Sequence, residues 1–142
     1  MEQRISLVTL GVTDVDKTAG FYETMGWSRV DTPDNIVVYD LLGQSIGLYP
    51  LAGLAEDIGL PVESLGKGGM TLGQNLRSKE EVDALMAKVG GTGGKVLKQP
   101  QEVFWGGYHG YFADPEGHIW EIAFNPFSPL RAEDGAFCWG GY

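Results

Sequence analysis

Two stretches of this 142-residue chain follow the same pattern 64 residues apart, which constrains the fold to two copies of one small unit. Ile5 to Val12 alternates as a strand does. Asp14 then stands where a helix N-cap belongs, Thr18, Phe21, Tyr22 and Met25 recur at helical spacing, and Gly26 ends the run. Met70 to Leu76, Ser78, then Val82, Leu85, Met86 and Val89, and finally Gly90 repeat that order. The same shift pairs Val12 with Leu76, Phe21 with Leu85 and Met25 with Val89. Strand-like stretches follow each helix: Trp27 to Asp31, Asn35 to Leu42 and Gln44 to Pro50, then Lys95 to Gln99, Gly107 to Ala113 and His118 to Phe124. The expected class is therefore α+β, with two tandem βαβββ modules at 1–50 and 69–126. A glycine-rich connector at 51–68 and a tail at 127–142 complete the chain.

The segment from Gly110 to Ile122 reads as one β-hairpin. Asp114-Pro-Glu-Gly117 supplies the turn, since Pro115 fixes φ and Gly117 tolerates a left-handed conformation. After it, Trp120, Ile122 and Phe124 share an apolar face, so Glu121 points to the opposite side. A carboxylate in so apolar a strand needs a metal, a partner or a perturbed pKa, unless that face is simply wet.

Val12-Thr-Asp-Val-Asp-Lys-Thr-Ala-Gly-Phe-Tyr22 and Asp114-Pro-Glu-Gly-His-Ile-Trp-Glu121 resemble the vicinal-oxygen-chelate superfamily, and the likeness spans residues 4 to 126. That superfamily includes glyoxalases, extradiol dioxygenases and bleomycin-resistance proteins. The resemblance implies a glyoxalase-like fold whose two modules form a U-shaped cleft, and a homodimer. It also implies where metal ligands would stand. Glu121 matches the last ligand position, but the first falls on Leu7 and its repeat partner on Thr71, and Gln44 to Pro50 holds no His, Asp, Glu or Cys. One glutamate falls short of the three or four strong ligands zinc takes, so no metal and no cofactor are expected.

Alternation in the first strand places Leu7, Thr9 and Gly11 on a small or weakly polar face, and the repeat places Thr71, Gly73 and Asn75 likewise. The expected ligand-binding residues are Thr9, Thr71, Asn75, Trp105, Tyr108 and Glu121. The first two and Asn75 would line the cleft with Glu121, unless they only tolerate solvent. Trp105 and Tyr108 belong to Val103-Phe-Trp-Gly-Gly-Tyr-His-Gly-Tyr111, which reads as a loop presenting aromatic rings or letting a ligand near its backbone. The alternative is that those aromatics plug an interface. His118 is expected as a half-exposed residue after the turn. His109 is expected either on the surface or on an aromatic rim, facing Glu121's side only if their registers agree.

The net charge of −9 argues against nucleic acid and anionic membrane as partners and favours a cationic ligand. No apolar run approaches a membrane span, the opening Met-Glu-Gln-Arg lacks a signal-peptide pattern, and Cys138 stands alone, so a cytoplasmic protein is expected. No phosphate loop or nucleophile elbow is present. These readings favour a metal-free small-molecule-binding protein of the glyoxalase/bleomycin-resistance type, sequestering an aromatic or cationic compound. The alternative is a glyoxalase-like lyase, isomerase or dioxygenase in which Glu121 acts as a catalytic general base.

Overall fold

The computed structural model describes residues 3, 5–32, 36–66 and 69–141. Asn35 at the start of an expected strand, Lys67 and Gly68 of the connector, Tyr142 of the tail and Met1, Glu2 and Arg4 of the opening segment lie outside the described residues. The chain divides into two compact units, Met1–Lys67 and Gly68–Tyr142.

The first unit comprises β1 (Leu7–Val12), α1 (Val15–Met25), β2 (Val37–Asp40), β3 (Ser45–Pro50), α2 (Leu51–Ile58) and a 3-10 turn at Val62–Ser64. Its sheet runs β1-β3-β2, with β1 parallel and β2 antiparallel to β3. Asp14 caps α1 by accepting from the Lys17 N–H at 2.9 Å, and Gly26 closes it at φ 114°. Leu10, Val12, Val37, Tyr39, Ile46 and Leu48 form the sheet's buried side, and α1 contributes buried Ala19, Phe21 and Tyr22. The expected strand at 27–31 shrinks to one bridge, Val30 to Val38. The Trp27 N–H instead donates to the Tyr22 carbonyl, and its ring stacks on Tyr22 at 4.8 Å, which folds the chain back along the helix.

Tyr39 gives this core a pH signature. Burial, then the nearby Glu23 charge, pushes its phenol up to about 12, and its hydroxyl donates to the Ala19 carbonyl at 3.2 Å. The unfolded phenol ionises near its ordinary value of about 10. Between these values the folded state holds a proton that the unfolded state releases, so stability is full below pH 10 and falls as pH rises toward about 12. Melting temperatures taken from pH 9 upward should decline less steeply in Tyr39→Phe than in the parent; parallel curves would remove Tyr39 from the account.

The segment expected only as a connector contains α2. Its apolar Leu51, Leu54, Ala55 and Ile58 have helical spacing, and Gly59 ends it at φ 78°. A Cβ on Gly11 would lie 2.6 Å from Leu51 Cδ1 and 3.1 Å from Leu54 Cδ2. The small face of β1, expected to leave room, is thus filled by α2 at its Gly11 end.

The second unit comprises β4 (Leu72–Asn75), α3 (Lys79–Val89), β5 (Lys95–Glu102), β6 (Tyr108–Ala113) and β7 (Ile119–Phe124), in the sheet order β4-β7-β6-β5. The helices α1 and α3 have 11 residues each and begin and end 64 positions apart. Within each unit the first strand lies parallel to the last and antiparallel strands follow; the Val30 bridge on β2 stands where β5 stands on β6. Ser78 Oγ accepts from the Glu81 N–H at 3.2 Å, and Glu81 Oε2 accepts from the Arg77 N–H at 2.9 Å. Val82, Met86 and Val89 of α3 are buried with Phe112, Trp120 and Ile122 of the sheet, and Phe112 stacks on Trp120 at 6.2 Å. Among the described residues, no helix is long and apolar enough to cross a membrane.

Candidate functional site

The β6–β7 hairpin sets the site. Asp114, whose side chain is fully buried, accepts from the N–H groups of Glu116 at 2.9 Å and His118 at 2.8 Å, and its second oxygen meets His118 Nδ1 at 2.9 Å. His118 is therefore not half-exposed but tied into the turn, its side chain only 12% exposed. The turn fixes the pairing Ala113 to Ile119, and two residues on it places Tyr111 directly opposite Glu121. Gly73 flanks Glu121 on β4, and Lys98 flanks Tyr111 on β5. Gly73, Glu121, Tyr111 and Lys98 therefore form one row across four strands. The adjoining row holds Asn75, Ala123, His109 and Gln101, on the side facing away from α3's contacts with Trp120 and Ile122.

His109 joins the two rows. Its Nδ1 lies 2.7 Å from Glu121 Oε1, and its Nε2 lies 3.2 Å from Lys98 Nζ. An ammonium only donates, so Nε2 must accept. The ring is then neutral, with its proton on Nδ1 donated to Glu121. Burial, then the charge of Glu121 and a hydrogen bond to it, holds the Tyr111 phenol above its ordinary range, so this hydroxyl stays protonated at neutral pH and serves Glu121 as a donor. The Tyr111 ring lies edge-on to His109 at 5.0 Å, and Lys98 Nζ stands 5.8 Å from its centroid. Glu121 keeps 30% of its side-chain surface exposed, and a Cβ on Gly73 would meet nothing within 4 Å. The carboxylate is thus both held and reachable.

The sequence-derived residues distribute unevenly around this cluster. Glu121 is its centre, and Asn75 shares its face. Thr71 is exposed, one residue before β4, while Thr9 is half-buried on β1 opposite Gly47 in the first unit. Tyr108 is not brought to Glu121. Being adjacent to His109 on a strand, it faces the helix side, where its hydroxyl donates to Asp83 Oδ1 at 2.8 Å. Trp105 is no projecting loop aromatic either, for its ring lies over Gly107 and meets His109 edge-on at 6.4 Å; Phe104 alone of that stretch is fully exposed. His109 does share register with Glu121, and it is buried rather than a surface residue. Lys98 and Tyr111 were missed. Counting outward from the Asp114 turn would have found Tyr111.

Gly107 is what admits Trp105, since a Cβ there would sit 1.8 Å from the indole. Gly107→Ala should expel the ring, shift tryptophan emission to the red and cost about 1 to 3 kcal/mol in urea unfolding. Unchanged emission would place the indole elsewhere.

A metal does not fit this donor set. Glu121 is one carboxylate ligand, and His109 has no lone pair left for a metal, since its Nδ1 carries the proton and its Nε2 accepts from the Lys98 ammonium. Leu7 on β1 is half-exposed and offers no donor. No group of three or more His, Cys, Asp or Glu among the described residues is placed to hold an ion. An open cavity of about 700 Å³ in the first unit is lined by Asp16, Arg29, Thr32 and Ile36 among others, but its Arg29 is already paired with Glu23.

The model of the Glyoxalase/Bleomycin resistance protein/Dioxygenase superfamily matches residues 4–122. The solved structure of a glyoxalase-related enzyme from Fulvimarina pelagi is 38% identical, covers 99% of this chain and 100% of that chain, and superposes with a TM-score of 0.90. A glyoxalase/bleomycin resistance protein/dioxygenase family enzyme from Burkholderia phytofirmans PsJN is 23% identical over 84% of this chain and 96% of its own, with a TM-score of 0.74. Lactoylglutathione lyase from Agrobacterium tumefaciens is 21% identical over 88% of this chain and 96% of its own, with a TM-score of 0.68. At such identities the last two speak for the fold alone. No curated protein matches.

Proposed function

The chain belongs to the glyoxalase/bleomycin resistance protein/dioxygenase superfamily, and on that premise we propose that it is a metal-free small-molecule-binding protein whose site is centred on Glu121. The observation that carries the reading is the engagement of Glu121 by His109 and Tyr111. Two neutral donors hold the carboxylate in place. It is then an acceptor for a ligand's cationic or N–H group rather than a ligand to a metal. The neighbouring Tyr111 and Trp105 rings favour an aromatic ligand, and the net charge of −9 favours a cationic one.

The relative from Fulvimarina pelagi is described as a glyoxalase-related enzyme, so a lyase or isomerase using Glu121 as base is the second reading. It is weakened here because the lone pairs of Glu121 toward His109 and Tyr111 are already committed. We also propose a homodimer, for which exposed Phe104, Phe127 and Trp139 supply apolar surface, and a reducing cytoplasm, in keeping with the free Cys138. Sedimentation velocity showing only monomer would remove the dimer.

The test begins with metal content. Protein prepared without a histidine tag and dialysed should carry well under one equivalent of transition metal by elemental analysis. Near-stoichiometric zinc, nickel, iron or manganese that disappears in Glu121→Ala would overturn the reading. Aromatic cations, aromatic anions and α-oxo-thiol adducts should then be compared by tryptophan fluorescence and melting temperature. Binding of aromatic cations without turnover supports a binding protein, whereas turnover of the thiol adducts supports the lyase.

A further inference from the structure

Lys98 stands outside the proposal above, which needs only the carboxylate. Its ammonium is fixed from two directions, by His109 Nε2 at 3.2 Å and by the Tyr111 ring at 5.8 Å, and it sits in the same row of the sheet as Glu121. A lysine normally loses much rotamer freedom when a ligand orders it. Here that ordering is done in advance. One donated hydrogen satisfies the imidazole, and an ammonium has three to give. The neutral His109 ring therefore acts as a spacer with a positive group at one nitrogen and a negative group at the other. Both charges belong to one unit and one face, separated by one imidazole.

We infer that Lys98 makes this a bipolar site, whose ligand carries a cationic group for Glu121 and an anionic oxygen for Lys98, held about one aromatic ring apart. The inference rests on the reading of this face as a binding site and adds the ligand's second charge. A simple cation would satisfy Glu121 but stand near an uncompensated ammonium; a simple anion would do the reverse. A para-substituted aromatic zwitterion meets both, and its ring lies against Tyr111 and Trp105. His109 is a positioning residue here, since it acts through the two charges it separates.

Three probes separate the possibilities on the full-length protein by titration calorimetry: 4-(aminomethyl)benzoate, benzylamine and benzoate. The zwitterion should bind at least tenfold more tightly than either singly charged probe. Lys98→Met should abolish the zwitterion's preference over benzylamine, with benzylamine's own affinity rising as the neighbouring ammonium is removed. Glu121→Gln should bring it down to that of benzoate. Lys98→Arg, which restores the charge, should recover most of the preference, and this recovery distinguishes loss of charge from loss of fold, as does an unshifted melting curve for Lys98→Met. Benzylamine binding that depends on Glu121, with no added affinity for the zwitterion and no effect of Lys98→Met, would overturn the bipolar inference and leave the binding protein standing. Failure of all three probes to bind would overturn both.

Discussion

Glu121→Gln should weaken binding of an aromatic cation by roughly ten- to a hundredfold, the equivalent of losing one charge-assisted contact of about 1.5 to 3 kcal/mol. The amide keeps the shape of the side chain but removes its charge. It also replaces one accepting oxygen with a donor, on a residue that His109 Nδ1–H and the Tyr111 hydroxyl both address as donors. The amide's single oxygen must then serve both donors, or one of these contacts turns away. The loss should appear as faster dissociation, because the contact is made in the bound state. Association should instead slow as salt is added, since screening shortens the reach of the net charge of −9. Stopped-flow tryptophan fluorescence resolves the two rates. Unchanged affinity together with abolished turnover would transfer Glu121 from binding to general-base catalysis.

Asp114→Ala should be the most destabilising single change near the site, costing about 3 to 5 kcal/mol. The side chain is fully buried, and its removal strands the N–H groups of Glu116 and His118 inside the turn and leaves His118 Nδ1 without this carboxylate. For a domain of this size each kcal/mol lowers the melting temperature by about 2 to 4 °C, so a fall on the order of 10 °C is expected. Asp114→Asn keeps an accepting oxygen for the two backbone donors and should cost less than half as much. Because this turn sets the register that opposes Tyr111 to Glu121, Asp114→Ala should also weaken ligand binding at temperatures where the protein is still folded. A loss under about 1 kcal/mol would mean that Pro115 and Gly117 fix the turn unaided.

The sequence by itself determined the elements whose causes lie within a few residues. Asp14 and Ser78 cap helices that start at Val15 and Lys79, and the apolar spacing after each is a property of the local chain. The Asp114 turn is likewise local, and with it came the side of the sheet on which Glu121 lies and, by counting, the place of Tyr111. The helix Leu51–Ile58 was within reach of the same reasoning through Leu51, Leu54, Ala55 and Ile58, but Gly53, Gly59 and Pro61 read as punctuation. Tertiary structure decided what depends on partners distant in sequence. Trp27 leaves the expected strand because its ring finds Tyr22, and Gly11 is small because α2 lies against it rather than because a ligand does. Lys98 was the least legible of all. Its place beside Tyr111 follows two register shifts in β5, between Val96 and Lys98 and between Lys98 and Gln101, and each shift breaks the two-residue alternation from which a strand's facing is read. A histidine's proton is decided the same way, since which nitrogen of His109 carries it depends on the ammonium and the carboxylate that the folded sheet sets on either side of the ring.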